Sequence, residues 1–544
     1  MAERIIDLTG RGGLAPRFYG NLPYNEGHFE QTYLAEENQM ADGFFNPFAL
    51  DGYLSPANKS FNPAGTPSAI QGSTIVDPEN DTVYLMDRGT KIHNIAFDGE
   101  TIGDNHTITG DDVIGTDLEE YVVNGSRRCF YSYQKAGGGD IGIAIFGVST
   151  LGSLNDTWLS SSATGGFNTG AANNTFMVVS DNGYMYVFDG PDVHKIDGTT
   201  SGGALGTATA NILQFSPIFK IVDAINVRGK IWMAIVRTSS NIAGTRSTKS
   251  YGRLGGVYIW DRQSTTIQYQ DFIDIPGIRE IRTIFSFMGI PTIITISTTG
   301  YTEIRSYNNG TFPVVKVLGK KAYPLFRDSV SSDGDLIKWV GADGVFYVFG
   351  SVKRGEKAGI YKLGDVTVAT EDGKIFTEAG AIVASGDTGG TAIGENAIPE
   401  TYYIGMKDTG SSRVLKWYPH SYSAGRDAVP KGDTIYTKVI ALPKLSTIKG
   451  ITLFYLPNTL NPAATDYDNL DVEIYVNQST TAYKTETLTK IADGNRGYKY
   501  IPLGKPHVNF IQIGFTWKVL NTAMSFAIKP MYAILEYEET KKIK

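Results

Sequence analysis

Along most of the chain, apolar and polar residues alternate in short runs closed by Gly, Asp or Asn. This period of two predicts β-strands, and it fills residues 66–425 with short strands and tight turns, the pattern of a sandwich, barrel or propeller. One motif returns within that stretch. Val83-Tyr84-Leu85-Met86-Asp87, Met185-Tyr186-Val187-Phe188-Asp189 and Val257-Tyr258-Ile259-Trp260-Asp261 all read apolar, Tyr, apolar, apolar, Asp. Phe346-Tyr347-Val348-Phe349-Gly350 and Ile360-Tyr361-Lys362-Leu363-Gly364 are looser copies. Asp181-Asn182-Gly183 leads into Tyr186 as Ala342-Asp343-Gly344 leads into Tyr347, and such pairs suit hairpin turns because glycine accepts a positive φ. A propeller blade takes roughly 40 to 50 residues. The 102 residues from Tyr84 to Tyr186 therefore predict two blades, with Arg128–Tyr133 and Ile141–Val148 as a degenerate second one. The expectation is an all-β chain with an irregular β-propeller of roughly six to eight blades. Tyr84, Tyr186, Tyr258 and Tyr347 are expected in its core.

The flanks read differently. Residues 1–65 are broken by Gly12-Gly13, Pro16, Pro23, Pro47 and Pro56, which predicts an extended N-terminal arm. One short helix is expected within Gly27 to Ala41, where Phe29, Tyr33, Leu34, Met40 and Ala41 fall near helical spacing opposite Glu30, Glu36 and Glu37. In residues 430–544 the strands are longer: Thr434–Ala441, Ile451–Leu456, Asp471–Val476, Phe510–Trp517 and Met531–Glu538 predict a separate antiparallel β-sandwich.

Composition agrees with these assignments: 62 Gly, 31 Tyr and 26 Phe in 544 residues are turn and strand vocabulary. The net charge of −7 is uneven. Residues 431–544 hold 14 Lys and Arg against 10 Asp and Glu, a balance of +4, and residues 1–430 carry −11. An acidic body excludes tight nucleic-acid binding, which needs clustered Lys and Arg. The basic tail Lys541-Lys542-Ile543-Lys544 is expected to be solvated. No signal-peptide pattern opens the chain and no apolar run is long enough for a membrane-spanning helix, so a cytoplasmic product is expected. Cys129, the only cysteine, excludes an intrachain disulfide and is expected to be a buried core thiol.

Little in the chain announces chemistry. The six histidines, at 28, 93, 106, 194, 420 and 507, form no HxH or HxxxH pair, and neither a Gly-x-Ser-x-Gly elbow nor a Walker-type loop occurs. Ser331-Ser332-Asp333-Gly334-Asp335 with Trp339 approaches the turn that recurs in sialidases, but it stands once and lacks its threonine, so an ordinary hairpin is expected. Asp466, Asp468 and Asp471 have the oxygen chemistry of a calcium loop without its sharp-turn glycine, and a solvated loop is expected. No catalytic, cofactor-binding or metal-binding residue is assigned, and no cofactor.

The opening carries the most specific signal. Gly12-Gly13-Leu14, then Asn38-Gln39-Met40-Ala41-Asp42-Gly43, then Leu50-Asp51-Gly52-Tyr53-Leu54-Ser55-Pro56 resembles the start of phage tail nozzle proteins, the distal tubular proteins of short-tailed bacteriophages. The resemblance implies a structural virion protein, not an enzyme, assembled in the host cytoplasm as a homo-oligomeric ring of six copies. Its neighbours would be the tail adaptor and fibre or spike proteins. Such a ring closes the tail and conducts double-stranded DNA during ejection, and a lumen without clustered cations would let the polyanion slide. Two alternatives come from other classes: a receptor-binding or carbohydrate-binding propeller, and a propeller glycosidase with two placed carboxylates.

Overall fold

A computed structural model describes residues 2–8, 40–42, most of 70–319, strand segments between 322 and 419, and most of 434–539. The expected helix within Gly27 to Ala41 lies outside the described residues up to Gln39. Its last positions, Met40 and Ala41, are in a strand. Among the described residues the only helical turn is the 3-10 turn Tyr269–Asp271, and the fold is all-β.

Among the described residues between Ile70 and Pro419, strands near in sequence pair antiparallel into seven sheets, a propeller-like order. Sheet 1 is Ile70–Asp77, Thr82–Asp87, Lys91–Ala96 and Ile102–Thr107. Sheet 2 is Ile114–Val123, Ser126–Lys135, Gly138–Ile145 and Gly152–Asn155. Phe176–Val179, Tyr184–Asp189, Asp192–Asp197 and Thr207–Gln214 make sheet 3. Sheet 4 is Phe219–Val227, Lys230–Arg237, Gly255–Trp260 and Phe272–Asp274, and sheet 5 is Ile278–Phe287, Ile290–Ser297, Thr302–Ser306 and Val314–Gly319. Val345–Val352 and its partners form sheet 6, and Gly390–Glu395, Thr401–Lys407 and Arg413–Pro419 form sheet 7. From sheet 1 through sheet 5 the successive first strands lie against one another, and Gly390–Glu395 lies against Ile70–Asp77.

The hairpins follow from their turn residues. Asn124-Gly125 joins the first two strands of sheet 2 with φ of 50° and 75°, the pair of positive values that a two-residue turn needs to match strand twist. Gly183 has φ 82° in the turn before Tyr186, as expected from Asp181-Asn182-Gly183.

The repeated tyrosines are core residues: Tyr84, Tyr186 and Tyr258 are buried, while the side chain of Tyr347 lies outside the described residues. Their strands are not equivalent. Tyr84 and Tyr186 stand on second strands, Tyr258 on a third. Apolar packing accounts for this, because either inner strand of a sheet is covered on both faces by its neighbours, so both accept the same pattern. The strands expected at Arg128–Tyr133 and Ile141–Val148 are present in sheet 2 as Ser126–Lys135 and Gly138–Ile145. Phe176, Tyr186, Phe188, Ile231, Met233, Tyr258 and Trp260 then form one core joining sheets 3 and 4.

The remaining described strands form one hydrogen-bonded sheet of eight. Gly497–Lys518 joins its parts, since its first half pairs with Ile440–Pro457 while its second half pairs with Asn469–Val476 on one side and Thr434–Thr437 on the other. Strands expected separately, Thr434–Ala441 and Ile451–Leu456, are rearranged into Thr434–Thr437 and a long Ile440–Pro457 interrupted by register shifts. The amino terminus belongs here too. Ala2–Asp7 pairs along its whole length with Ile528–Glu539, and Met40–Asp42 pairs with Thr434–Thr437. Ile6 and Leu8 are buried in the same core as Ile451, Val472, Phe515 and Leu535.

Candidate functional site

The chemistry-bearing side chains of the propeller-like region concentrate where one sheet meets the next. On the first strand of sheet 2, the register slips between Gly115 and Asp117, and this bulge re-aims the acidic residues that follow. Asp117 is fully buried and its Oδ2 accepts the backbone N–H of Met177 at 2.7 Å. Two residues on, the Glu119 carboxylate accepts the N–H of Val179. Burial, followed by the charge of Glu120, pushes Glu119 up to about 8 against the lowering effect of that bond. Met177 and Val179 lie on the first strand of sheet 3, which pairs only with Tyr184–Asp189 in its own sheet. The two carboxylates therefore cap N–H groups along an otherwise open strand edge.

The same device recurs between sheets 4 and 5. Asp223 follows a register shift after Ile221, its Oδ2 accepts the N–H of Ile284 at 3.0 Å and the Thr283 hydroxyl, and its Oδ1 accepts the N–H of Ala224 at 2.9 Å. Desolvation nonetheless pushes Asp223 up to about 7.

Nearer the hairpin ends, arginines perform the junctions. Arg127 grips Glu120 with Nε at 2.6 Å and Nη2 at 2.9 Å, reaches Asp77 of sheet 1 at 3.0 Å and covers the ring of Phe146. Arg262 of sheet 4 donates to the Ser180 hydroxyl at 2.7 Å and pairs with Asp181 in the hairpin of sheet 3.

At the outer strands, His106 of sheet 1 meets Asp156, which follows the last strand of sheet 2, with Nε2 2.9 Å from Oδ1. The Tyr131 hydroxyl donates to the same oxygen at 2.5 Å, and the Thr109 hydroxyl donates to Oδ2 at 3.0 Å. Burial works to raise the Asp156 carboxyl, but these three hydrogen bonds hold it well below the usual carboxylate range. A carboxylate, an imidazole and a phenol in contact are acid–base components. Here they bond to one another, with the Thr109 hydroxyl as a further donor to the carboxylate. Cys129 is buried nearby, and burial pushes its thiol up, away from the thiolate.

The other sequence candidates are placed as follows. Asp471 accepts a hydrogen bond from the Thr487 hydroxyl at 2.6 Å, while Asp466, Asp468 and the Ser331 to Trp339 segment lie outside the described residues, as do His28, His420 and the tail from Lys541. His194 is buried, accepts the N–H of Asn211 at 3.1 Å, and is pushed down to about 4 by burial. Among the described residues no group of three or more His, Cys, Asp or Glu could hold a metal ion, and no helix is long and apolar enough to cross a membrane. Sequence reasoning missed Asp117, Glu119, Asp223 and the His106–Asp156–Tyr131 contact. The only signal was an acidic residue inside an otherwise apolar strand, as in Ile221-Val222-Asp223-Ala224-Ile225.

No known protein family and no curated protein matches the sequence. Solved structures give distant likenesses to β-propeller proteins. The β-propeller domain of Swd1 from Myceliophteria thermophila is 9% identical with a TM-score of 0.40, over 66% of this chain and 99% of that one. Raptor from Chaetomium thermophilum is 11% identical with a TM-score of 0.39 over 69% of this chain, which spans only 30% of Raptor. A sialidase from Trypanosoma rangeli is 10% identical with a TM-score of 0.35, over 85% of this chain and 96% of that one. At these identities the likeness concerns the β-propeller-like, all-β fold alone.

Proposed function

We propose that the chain is a structural subunit of a short-tailed phage tail, a nozzle protein whose copies form a ring that closes the tail and conducts DNA during ejection. In this reading residues 66–425 are an irregular seven-bladed propeller, 430–544 a sandwich-like domain, and 1–65 an arm that starts on that domain. The observation that carries the reading is the resemblance of the opening, from Gly12-Gly13-Leu14 to Gly52-Tyr53-Leu54, to tail nozzle proteins. Two further features support it. Met40–Asp42, inside the matching Asn38 to Gly43 stretch, is held against Thr434–Thr437, so the arm has a structural attachment. The acidic and basic groups between sheets are spent on hydrogen bonds and ion pairs that tie neighbours together, which suits a load-resisting ring subunit.

Conduction sets a physical requirement. With −11 on residues 1–430, a channel through the ring meets the duplex with repulsion and without sticky phosphate contacts. The purified assembly should therefore bind double-stranded DNA no more tightly than the non-specific range of about 10⁻⁴ to 10⁻⁶ M at physiological salt. Nanomolar binding that falls steeply with salt would contradict a passive conduit.

A further inference from the structure

The outward face of the carboxyl-terminal sheet is unusual for a surface exposed to water. Ala2–Asp7, Ile528–Glu539, Ile440–Pro457 and Gly497–Lys518 lie side by side in that order. Their register places Ile5, Ile534, Thr452 and Tyr500 in one cross-strand row and Glu3, Glu536, Gly450 and Pro502 in the next. A third row holds Asp7, Tyr532, Phe454 and Tyr498. Ile5 is 71% exposed, Tyr498 63% and Tyr500 43%, so the face is an open apolar and aromatic patch.

Two local features give the patch a chemical preference. Glu3 and Glu536 stand directly opposite each other, an arrangement in which like charges repel. The nearby Glu538 and Glu539 are paired with Lys449 and Lys444, whereas neither Glu3 nor Glu536 forms an ion pair among the described residues. The Tyr500 ring, moreover, lies across Gly450, since a Cβ built there would come within 2.5 Å of the ring. Gly450 is the cross-strand neighbour of Glu536, so the ring lies beside the carboxylate pair while Tyr500 stays exposed.

We propose that this face docks a basic, partly apolar peptide segment of a partner protein, with an Arg or Lys head against Glu3, Glu536 and the Tyr500 ring. Its stem and neighbouring side chains rest on Ile5 and Ile534. A cation relieves the carboxylate repulsion and is attracted by the ring face. Anionic partners, nucleic acid and acidic lipid surfaces included, are repelled. Face-to-face pairing with a second copy would bring two such carboxylate pairs together. A neutral sugar would stack on Tyr500 but leave the repulsion in place. The inference is independent of the tail assignment.

The test uses the full chain and a synthetic peptide of alternating Arg and Leu, with the Glu-for-Arg peptide, a neutral oligosaccharide and analytical ultracentrifugation as counterparts. The Arg peptide should bind and the Glu peptide should not. The double variant Glu3→Gln, Glu536→Gln should weaken binding at least about ten-fold while keeping or raising the melting temperature, and Tyr500→Ala should weaken it comparably. Asp192→Asn with Asp274→Asn, an equal charge change elsewhere, should leave binding within about two-fold. Unchanged affinity in the double variant overturns the proposal. So does oligosaccharide binding without peptide binding, or self-association that Tyr500→Ala abolishes.

Discussion

Asp223 on the first strand of sheet 4 accepts the backbone N–H of Ile284 on the first strand of sheet 5 at 3.0 Å, so one carboxylate joins two sheets that share no strand pairing. Removing it strands a buried N–H and the Thr283 hydroxyl. Asp223→Ala should cost about 1 to 3 kcal/mol in chemical denaturation, the penalty for leaving such groups unpaired.

The same residue sets a pH dependence. Its carboxyl is pushed up to about 7, and that of Glu119 up to about 8, both above the range near 4 expected in the unfolded chain. A raised folded value contributes stability that is complete below the unfolded value and is lost as pH rises through the folded one. Melting temperature should therefore fall as pH rises from about 4 to about 8 and level off above that. In Asp223→Ala the part of that fall between about pH 4 and pH 7 should shrink, and an unchanged slope there would assign the titration to other groups.

Asp156 runs the opposite way. Its folded value is depressed by the bonds from His106, Tyr131 and Thr109, so its contribution is present above the unfolded value near 4 and is lost as pH falls below it. Asp156→Ala should be less stable than the parent at pH 7, and the gap should narrow in melts below about pH 4.

Tyr186 packs edge-on against Trp260 with ring centroids 5.1 Å apart, across the junction of sheets 3 and 4, and its hydroxyl accepts from Asn182 at 2.9 Å. Truncating Tyr186 to Ala should cost about 3 to 5 kcal/mol, the range for large buried aromatics. A variant that melted with the parent but lost a ligand would place this tyrosine in a binding site instead.

How far the sequence could be read depended on the distance over which each feature was encoded. The alternation around Tyr84 and Tyr186 is local, and it led correctly to buried strands and to glycine turns. Whether such a strand is second or third in its sheet depends on its neighbours, and for Tyr258 the motif alone did not say. The partner of Ala2–Asp7 was still less legible, because it lies at the far end of the chain and six residues contain no address for it. Asp117 and Asp223 were illegible for another reason: bulges turn them toward the next sheet, and a bulge leaves no period in the sequence.

The amino-terminal strand also changes what a truncation would mean. Leu8 is fully buried and donates its N–H to the Met531 carbonyl at 2.9 Å, so the first residues are part of the carboxyl-terminal core as well as the start of an arm. Leu8→Ala should cost about 2 to 5 kcal/mol in a denaturation experiment. Deleting residues 1–60 should lower the stability of that sheet in addition to any loss of assembly, and a truncated chain that melted like the parent would contradict this docking.

The claim that the chain is a ring-forming tail subunit is tested most directly by electron microscopy of the purified full-length protein. The account predicts closed rings, six-fold by the family resemblance, with an axial channel wide enough for a DNA duplex. Monodisperse single particles without a channel, at concentrations where the protein is folded, would contradict it.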